Sequence, residues 1–239
     1  MTRGDGRRIL ITGGTSGLGL ALARRLCTRH AVMIAGRRTP QEAAALLPPA
    51  CLYVRAGLAR PMEAVEAIAD ALEEAGWDGL DHAVLNAAAG YAVPDGLETA
   101  AQIRETLDVN LAATLVLART LHPRLAERNG LLTLVGSTAR KGAALFPAYA
   151  GSKAGLHGVA RALRSEWKGE AGVQVVHPGP MRTGMHARAG HDPGWIGRLF
   201  LDPDDAAAML AHDLATRRSP VALGWLRYLS GAAHWRPRL

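Results

Sequence analysis

Short, continuously apolar runs alternate along this chain with longer stretches in which apolar residues recur every three or four positions. "RRILITG" reads as a strand, and "GLGLALARRLCTRH" follows it with helical spacing. "AVMIAG" and "CLYVRAG" read as a second and a third strand. "PMEAVEAIADALEEAG" reads as a helix with Pro61 at its start and Gly76 at its end. "DHAVLNAA" is a fourth strand, and residues 98–127 form a long helical stretch. "GLLTLVGS" is a fifth strand, "YAGSKAGLHGVARALRSEW" a helix and "VQVVHPG" a sixth strand.

The strands lack the polar alternation of a sheet with one wet face, so both faces should be covered. Strands alternating with helices predict βαβ units. The expected fold is α/β, a Rossmann-type doubly wound parallel sheet with helices on both faces. No linker, repeat or low-complexity block interrupts it, so residues 1–239 are expected to form a single domain. Residues 181–203, "MRTGMHARAGHDPGWIGRLFLDP", break the rhythm and carry Trp195 and Phe200. A long irregular stretch of this kind predicts a substrate lid. The tail 221–239 takes no assignment from its pattern.

Composition narrows this picture. The chain has 239 residues and is 49% hydrophobic, enough for one sizeable core. Aromatic residues make up only 5%, so Ala, Val, Leu and Ile must build that core. The net charge of +7 admits nucleic acid, a membrane surface or an anionic ligand as partner. Lys and Arg are scattered rather than clustered, which disfavours nucleic acid and favours a phosphate-bearing small molecule. No apolar run reaches the ~18 residues of a membrane span, and "MTRGDGRR" lacks a secretory core; a cytoplasmic protein without integral membrane association is expected. Cys27 and Cys51 read as buried thiols rather than a disulfide. His186 and His191 have no third ligand at fitting spacing, so no metal site is expected.

"TGGTSGLG", residues 12–19, joins the first strand to the first helix. Gly13, Gly17 and Gly19 would let the backbone turn sharply and approach a pyrophosphate. Thr15, Ser16 and Leu18 lie within the same loop, where free N–H groups meet the positive end of the helix dipole. "AGRR" ends the second strand, and Gly36 stands where an acidic residue would bind a ribose 2′-hydroxyl. Arg37 and Arg38 instead suit a 2′-phosphate, because guanidinium groups match phosphate oxygens bidentately. NADP(H) is therefore the preferred cofactor, with NAD(H) the other that the loop would admit.

Tyr149 and Lys153, in "FPAYAGSKAG", are four residues apart and would share one helix face. An ammonium beside a phenol is expected to favour the phenolate and lower the phenol pKa, which would make Tyr149 a general acid or base.

These motifs, in this order, resemble the short-chain dehydrogenase/reductase family from about residue 7 to about residue 220. The family's Thr-Gly-x-x-x-Gly-x-Gly is present at 12–19, and its Tyr-x-x-x-Lys as Tyr149 and Lys153. Its catalytic serine corresponds to Ser137 in "LVGSTA" and its asparagine to Asn110 in "DVNLAAT". Its Pro-Gly-x-x-x-Thr corresponds to Pro178, Gly179 and Thr183. The chain departs from the family at "LNAA", which aligns Asn86 and Ala87 with the second Asn and the Ala of Asn-Asn-Ala-Gly. It departs again at Gly57, which replaces an adenine-contacting Asp.

The resemblance implies a carbonyl reductase or alcohol dehydrogenase acting on a small molecule. Tyr149 would be the proton donor, and Ser137 would stabilise the reacting oxygen. Lys153 would also bind the nicotinamide ribose, and Asn110 would hold a water leading to Lys153. Asn86, Ala87, Pro178, Gly179 and Thr183 would hold cofactor. Ala139, Leu145, the stretch after Asn86 and the lid would wall the substrate pocket, with Arg182 and Arg188 available to an acidic substrate. The resemblance also implies a homodimer or homotetramer, for which the Ala-rich 111–118 face would serve. The alternative is a non-catalytic NADP-binding sensor or scaffold on the same fold.

Overall fold

The computed structural model describes residues 6–92, 97–183, 194, 197, 200–217 and 221–224. Strand β1 (Arg8–Thr12) leads through the glycine loop into α1 (Gly17–Leu26). Then come β2 (Ala31–Gly36), a short α2 (Pro40–Ala44), β3 (Leu52–Arg55) and α3 (Pro61–Glu74). β4 (His82–Leu85) precedes α4 (Ala100–Leu107), which continues through a π-helical turn, Asp108–Ala112, into α5 (Ala113–Glu127). β5 (Leu131–Val135) ends at a 3₁₀ turn, Thr138–Lys141. Helix α6 (Pro147–Glu166), β6 (Gly172–Pro178), α7 (Pro203–Thr216) and β7 (Val221–Leu223) complete the order.

All neighbouring strands pair in parallel in the order β3-β2-β1-β4-β5-β6-β7. The order reverses between β1 and β4, the switch point at which such sheets open a crevice. The expected doubly wound architecture is therefore the observed one, with one strand more. The first residues of the unassigned tail form β7, which pairs with the end of β6 through Val176 and Val221. Residues 225–239 lie outside the described residues.

Successive strand residues feed opposite cores. Leu10, Ala83, Leu132 and Leu134 pack with α3, α5 and α6. Ile9, Ile11, Val84 and Val135 pack with α1 and α7 on the other face. Ile9, Leu10 and Ile11 are fully buried, and burial of each side chain stabilises by about 1.5–3 kcal/mol. The continuous apolar runs seen in the sequence follow from this two-sided burial.

Two segments that the apolar pattern leaves unassigned are ordered by polar signals. Thr39 and Glu42 form a capping box on α2. Asp202 caps α7, its carboxylate accepting from the Asp204 N–H at 2.9 Å.

Candidate active site

The expected cofactor-binding and proton-transfer residues sit at or after the C-terminal ends of the strands or in α6, and Asn110 sits in the π-helical turn between α4 and α5. Gly13 has φ +68 and packs so tightly that a Cβ would stand 2.8 Å from Cα of Ala87. Only glycine combines that backbone with that approach. Asn86 reinforces the junction, its side-chain amide donating to the Thr12 carbonyl at 3.0 Å. Thr12, which the motif reading passed over, accepts from the Asn86 and Ala87 N–H groups at 3.0 and 3.1 Å. Gly17 opens α1 with φ +51, and a Cβ there would meet Thr183 Cγ2 at 3.1 Å. The glycine loop and the segment after β6 therefore converge, although 166 positions separate Gly17 from Thr183 (183 − 17). Ser16 is the N-cap residue of α1 but makes no side-chain cap, while Thr15, Leu18 and Gly19 are buried beneath the loop. Pro178 ends β6, and the Gly179 N–H donates to the Leu223 carbonyl at 2.8 Å.

Gly36 is enclosed. A Cβ there would lie 3.3 Å from both Thr15 Cγ2 and Tyr53 Oη, so an acidic side chain would have to displace both. Arg37 and Arg38 follow it and are exposed. Arg55, a residue the sequence reading did not single out, pairs in register with Gly36 across β2 and β3. A basic residue at the C-terminal end of an edge strand was the signal available for it.

The second half of the site is built on β5 and α6. Tyr149 and Lys153 lie one helical turn apart, with Nζ 5.6 Å from the centre of the phenol ring. Lys153 is 2% exposed and donates to the Val135 carbonyl at 2.8 Å. Burial pulls its ammonium down from 10.5 to about 8. Tyr149 keeps some exposure as a residue, but burial pushes its phenol above the ordinary 10, opposed by a hydrogen bond from Ser137. The direction is opposite to that expected from the sequence. Desolvation disfavours phenolate and ammonium alike, so both groups move towards their neutral forms. Ser137, in extended backbone after β5, also accepts from the Ala139 N–H at 3.1 Å.

Asn110 occupies the π-helical turn and is fully buried. π-Turns of this kind recur at functional positions in helices. Its amide donates to the Ala89 carbonyl at 2.8 Å and to Ser152 Oγ at 3.0 Å, while its oxygen accepts from the Ala89 N–H at 2.8 Å. Ser152 in turn donates to the Tyr149 carbonyl at 2.7 Å. Asn110 thus ties the loop after β4 to α6, the helix of Tyr149 and Lys153. Ser152, one residue before Lys153, escaped the sequence reading because its neighbours are small and unremarkable in pattern.

The ends of the 181–203 segment are pinned together. Met181 bridges to Leu201, and Arg182 pairs with Asp202 at 3.0 Å rather than standing ready for a substrate acid. Trp195, Arg188, His186 and His191 lie outside the described residues, as does most of the stretch expected to form a lid. No cluster of three metal-ligating side chains occurs among the described residues. No described helix is long and apolar enough to cross a membrane.

Comparison with known proteins agrees with this geometry. The family described as short chain dehydrogenase matches residues 7–194, and the chain belongs to it. It is thus a member of a family of oxidoreductases. The chain is 30% identical over 182 residues to a fatty acyl-CoA reductase of Mycobacterium tuberculosis, a match covering 72% of this chain and 60% of the relative. It is 30% identical over 224 residues to a 3-dehydrosphinganine reductase of Arabidopsis thaliana, covering 90% of this chain and 65% of that one. The chain thus spans less than two thirds of the length of both. A short-chain dehydrogenase of Burkholderia cenocepacia, solved in complex with NADP, superimposes with a TM-score of 0.80 at 27% identity, covering 93% of this chain and 98% of that one.

Proposed function

We propose that this protein is an NADPH-dependent carbonyl reductase, or the reverse alcohol dehydrogenase, working as a single-domain cytoplasmic enzyme. The observation that carries this reading is the assembly of Ser137, Tyr149 and a buried Lys153 after β5, on the same C-terminal edge of the sheet as the glycine loop after β1. The close-packed turn at Gly13 and the start of α1 fit a pyrophosphate, and Thr183 closes over it. The enclosed Gly36 and the exposed Arg37 and Arg38 favour a 2′-phosphate over a free ribose hydroxyl. The Burkholderia relative bound to NADP supports the same choice.

The cofactor would supply the hydride. Tyr149 would give its proton to the carbonyl oxygen, which its high phenol pKa suits at neutral pH. Ser137 would hydrogen-bond the same oxygen as its charge develops. Lys153 would hold the nicotinamide ribose and, as an ammonium, favour return of the proton to the site. Asn110 keeps the helix carrying both groups at a fixed distance from the loop after β4.

The rim of the substrate pocket would be apolar. Leu145 is exposed, and Phe146 stands edge-on to Tyr149 at 6.4 Å. This rim suits a carbonyl compound with an apolar substituent. Oligomerisation would use Ile103, Leu107 and Leu115, spaced along α4 and α5 and each more than a third exposed. Within the 111–118 stretch Ala113 and Ala118 point into the core, while Ala112 and Leu115 are exposed and would form its outward face. Leu107→Glu should convert an oligomer to monomer in sedimentation velocity.

Tyr149→Phe tests the central assignment. Turnover of NADPH across a panel of ketones and aldehydes should vanish while NADPH binding by fluorescence titration stays intact. Retained turnover would place the proton donor elsewhere. A wild-type protein that binds NADPH but reduces no member of the panel would favour the sensor alternative.

A further inference from the structure

The helix that carries Tyr149 and Lys153 lacks a cap of its own. Phe146 holds the N-cap position of α6 and offers no side-chain hydrogen bond, and Pro147 follows it. The Ala148 N–H would then be an orphan donor of the first turn. Glu98 supplies the missing acceptor from 50 residues upstream, its Oε2 lying 3.0 Å from the Ala148 nitrogen. The next residue, Thr99, caps α4 in a capping box with Gln102. Two adjacent residues thus cap two different helices, and the capping box of α4 fixes the backbone from which Glu98 reaches out. Carboxylates are also favoured at a helix N-terminus by the helix dipole.

This contact bears on the chemistry through its place. Ala148 immediately precedes Tyr149. The second turn of α6 is already held by Asn110 and Ser152. Without Glu98 the Ala148 N–H in the first turn, which presents the phenol, would lose its acceptor. The other oxygen of Glu98, Oε1, is buried and has no partner among the described residues, so it leaves the carboxylate a further acceptor beside the same turn. Leu97, the neighbouring residue, is 90% exposed.

We propose that Glu98 is a positioning residue for Tyr149: it fixes the first turn of α6 and couples the segment before α4 to the proton-donating hydroxyl. The proposal rests on the reading of Tyr149 as proton donor. Misplacement of a reacting group by about 1 Å can cost two orders of magnitude in rate.

The test uses purified full-length protein with NADPH and one reducible carbonyl compound. Glu98→Ala should lower kcat about tenfold or more, while the dissociation constant for NADPH changes by less than about twofold. Glu98→Gln keeps an accepting oxygen and should stay within about threefold of the parent. The proposal is overturned if Glu98→Ala keeps its kcat, if kcat and NADPH affinity fall together, or if Glu98→Gln falls as far as the alanine variant. Should Glu98→Ala not fold, Glu98→Asp replaces it, because one methylene less withdraws the carboxylate from Ala148 and predicts the same fall. Tyr149→Phe, assayed alongside, separates the two failures. Activity in that variant sinks the proton-donor reading itself, whereas an inactive Tyr149→Phe with an active Glu98→Ala sinks only the positioning role.

Discussion

Both edges of the sheet bury a base, and they use it differently. At the C-terminal edge, burial holds Lys153 down at about 8. At the N-terminal edge, burial chiefly and Arg7 next hold His82 down at about 3. Arg7 lies 2.9 Å from His82 Nε2 and can only donate, so that nitrogen accepts and the proton sits on Nδ1. His82 Nδ1 has no partner among the described residues, but the charged groups around the ring close on one another. Asp81 accepts from the Arg8 N–H at 2.7 Å and pairs with Arg128 at 3.2 Å, and Arg217 donates to the Asn129 carbonyl at 2.6 Å. Around Lys153 the chain of contacts instead runs out to two hydroxyls, Ser137 and Tyr149, at the mouth of a crevice. The same desolvation therefore makes a fixed brace at one edge and a titratable group near working pH at the other. What differs is whether the neighbouring polar groups are consumed by the fold.

The sharpest way to break this contrast is Lys153→Met. Holding the ammonium at pH 7 costs about 3 kcal/mol, the difference between 10.5 and about 8 at about 1.4 kcal/mol per pH unit. Its removal also leaves the Val135 carbonyl unpartnered, a loss of about 1–3 kcal/mol. The two offset, so Tm should change little while kcat falls about a thousandfold. A variant that loses stability and activity in parallel would make Lys153 a brace like His82.

Smaller in effect, Arg37→Ala should raise KM for NADPH about tenfold or more and leave KM for NADH within about threefold, as loss of a charge-assisted phosphate contact predicts. Equal rises for both cofactors would remove Arg37 from cofactor choice.

In the wild type, reductive kcat/KM should fall as pH rises through about 8, where Lys153 loses its proton. A profile flat to pH 10 would show that its charge is not used.

The smallest effect belongs to the other edge. His82 has a folded pKa of about 3 against an ordinary 6.5, so the unfolded chain takes up the proton first as pH falls. Its contribution to stability is complete above pH 6.5 and is lost as pH falls from 6.5 towards 3. His82→Gln should flatten the acid limb of a stability-versus-pH curve by one proton, about 1.4 kcal/mol per pH unit. Its kcat should be unchanged at neutral pH. A change in kcat would mean that the two edges communicate.

Much of the fold was legible because its rules are local. Two-sided burial writes itself as apolar runs such as "ILI" in β1, and helix α3 announces its start with Pro61. The glycine loop and the Tyr149–Lys153 pair are also local, since each needs only a fixed spacing along one element. β7 escaped because three residues give too little pattern to separate a strand from a turn. Helix α7 escaped because its interior, from Ala206 to Leu214, is buried almost throughout and carries no polar face to reveal its period.

The sequence by itself determined the order of the first six strands and of the longer helices between them, the glycine turn after β1 and the spacing of Tyr149 and Lys153. Spacing and burial pattern suffice for these. Only the tertiary structure decided that Thr183 meets Gly17, that Asn110 locks Ala89 to Ser152, and that Glu98 caps the helix of Tyr149. It also reversed the expected direction of the Tyr149 pKa. Desolvation and hydrogen bonds between distant segments depend on which surfaces pack together, and no local period along the chain encodes that.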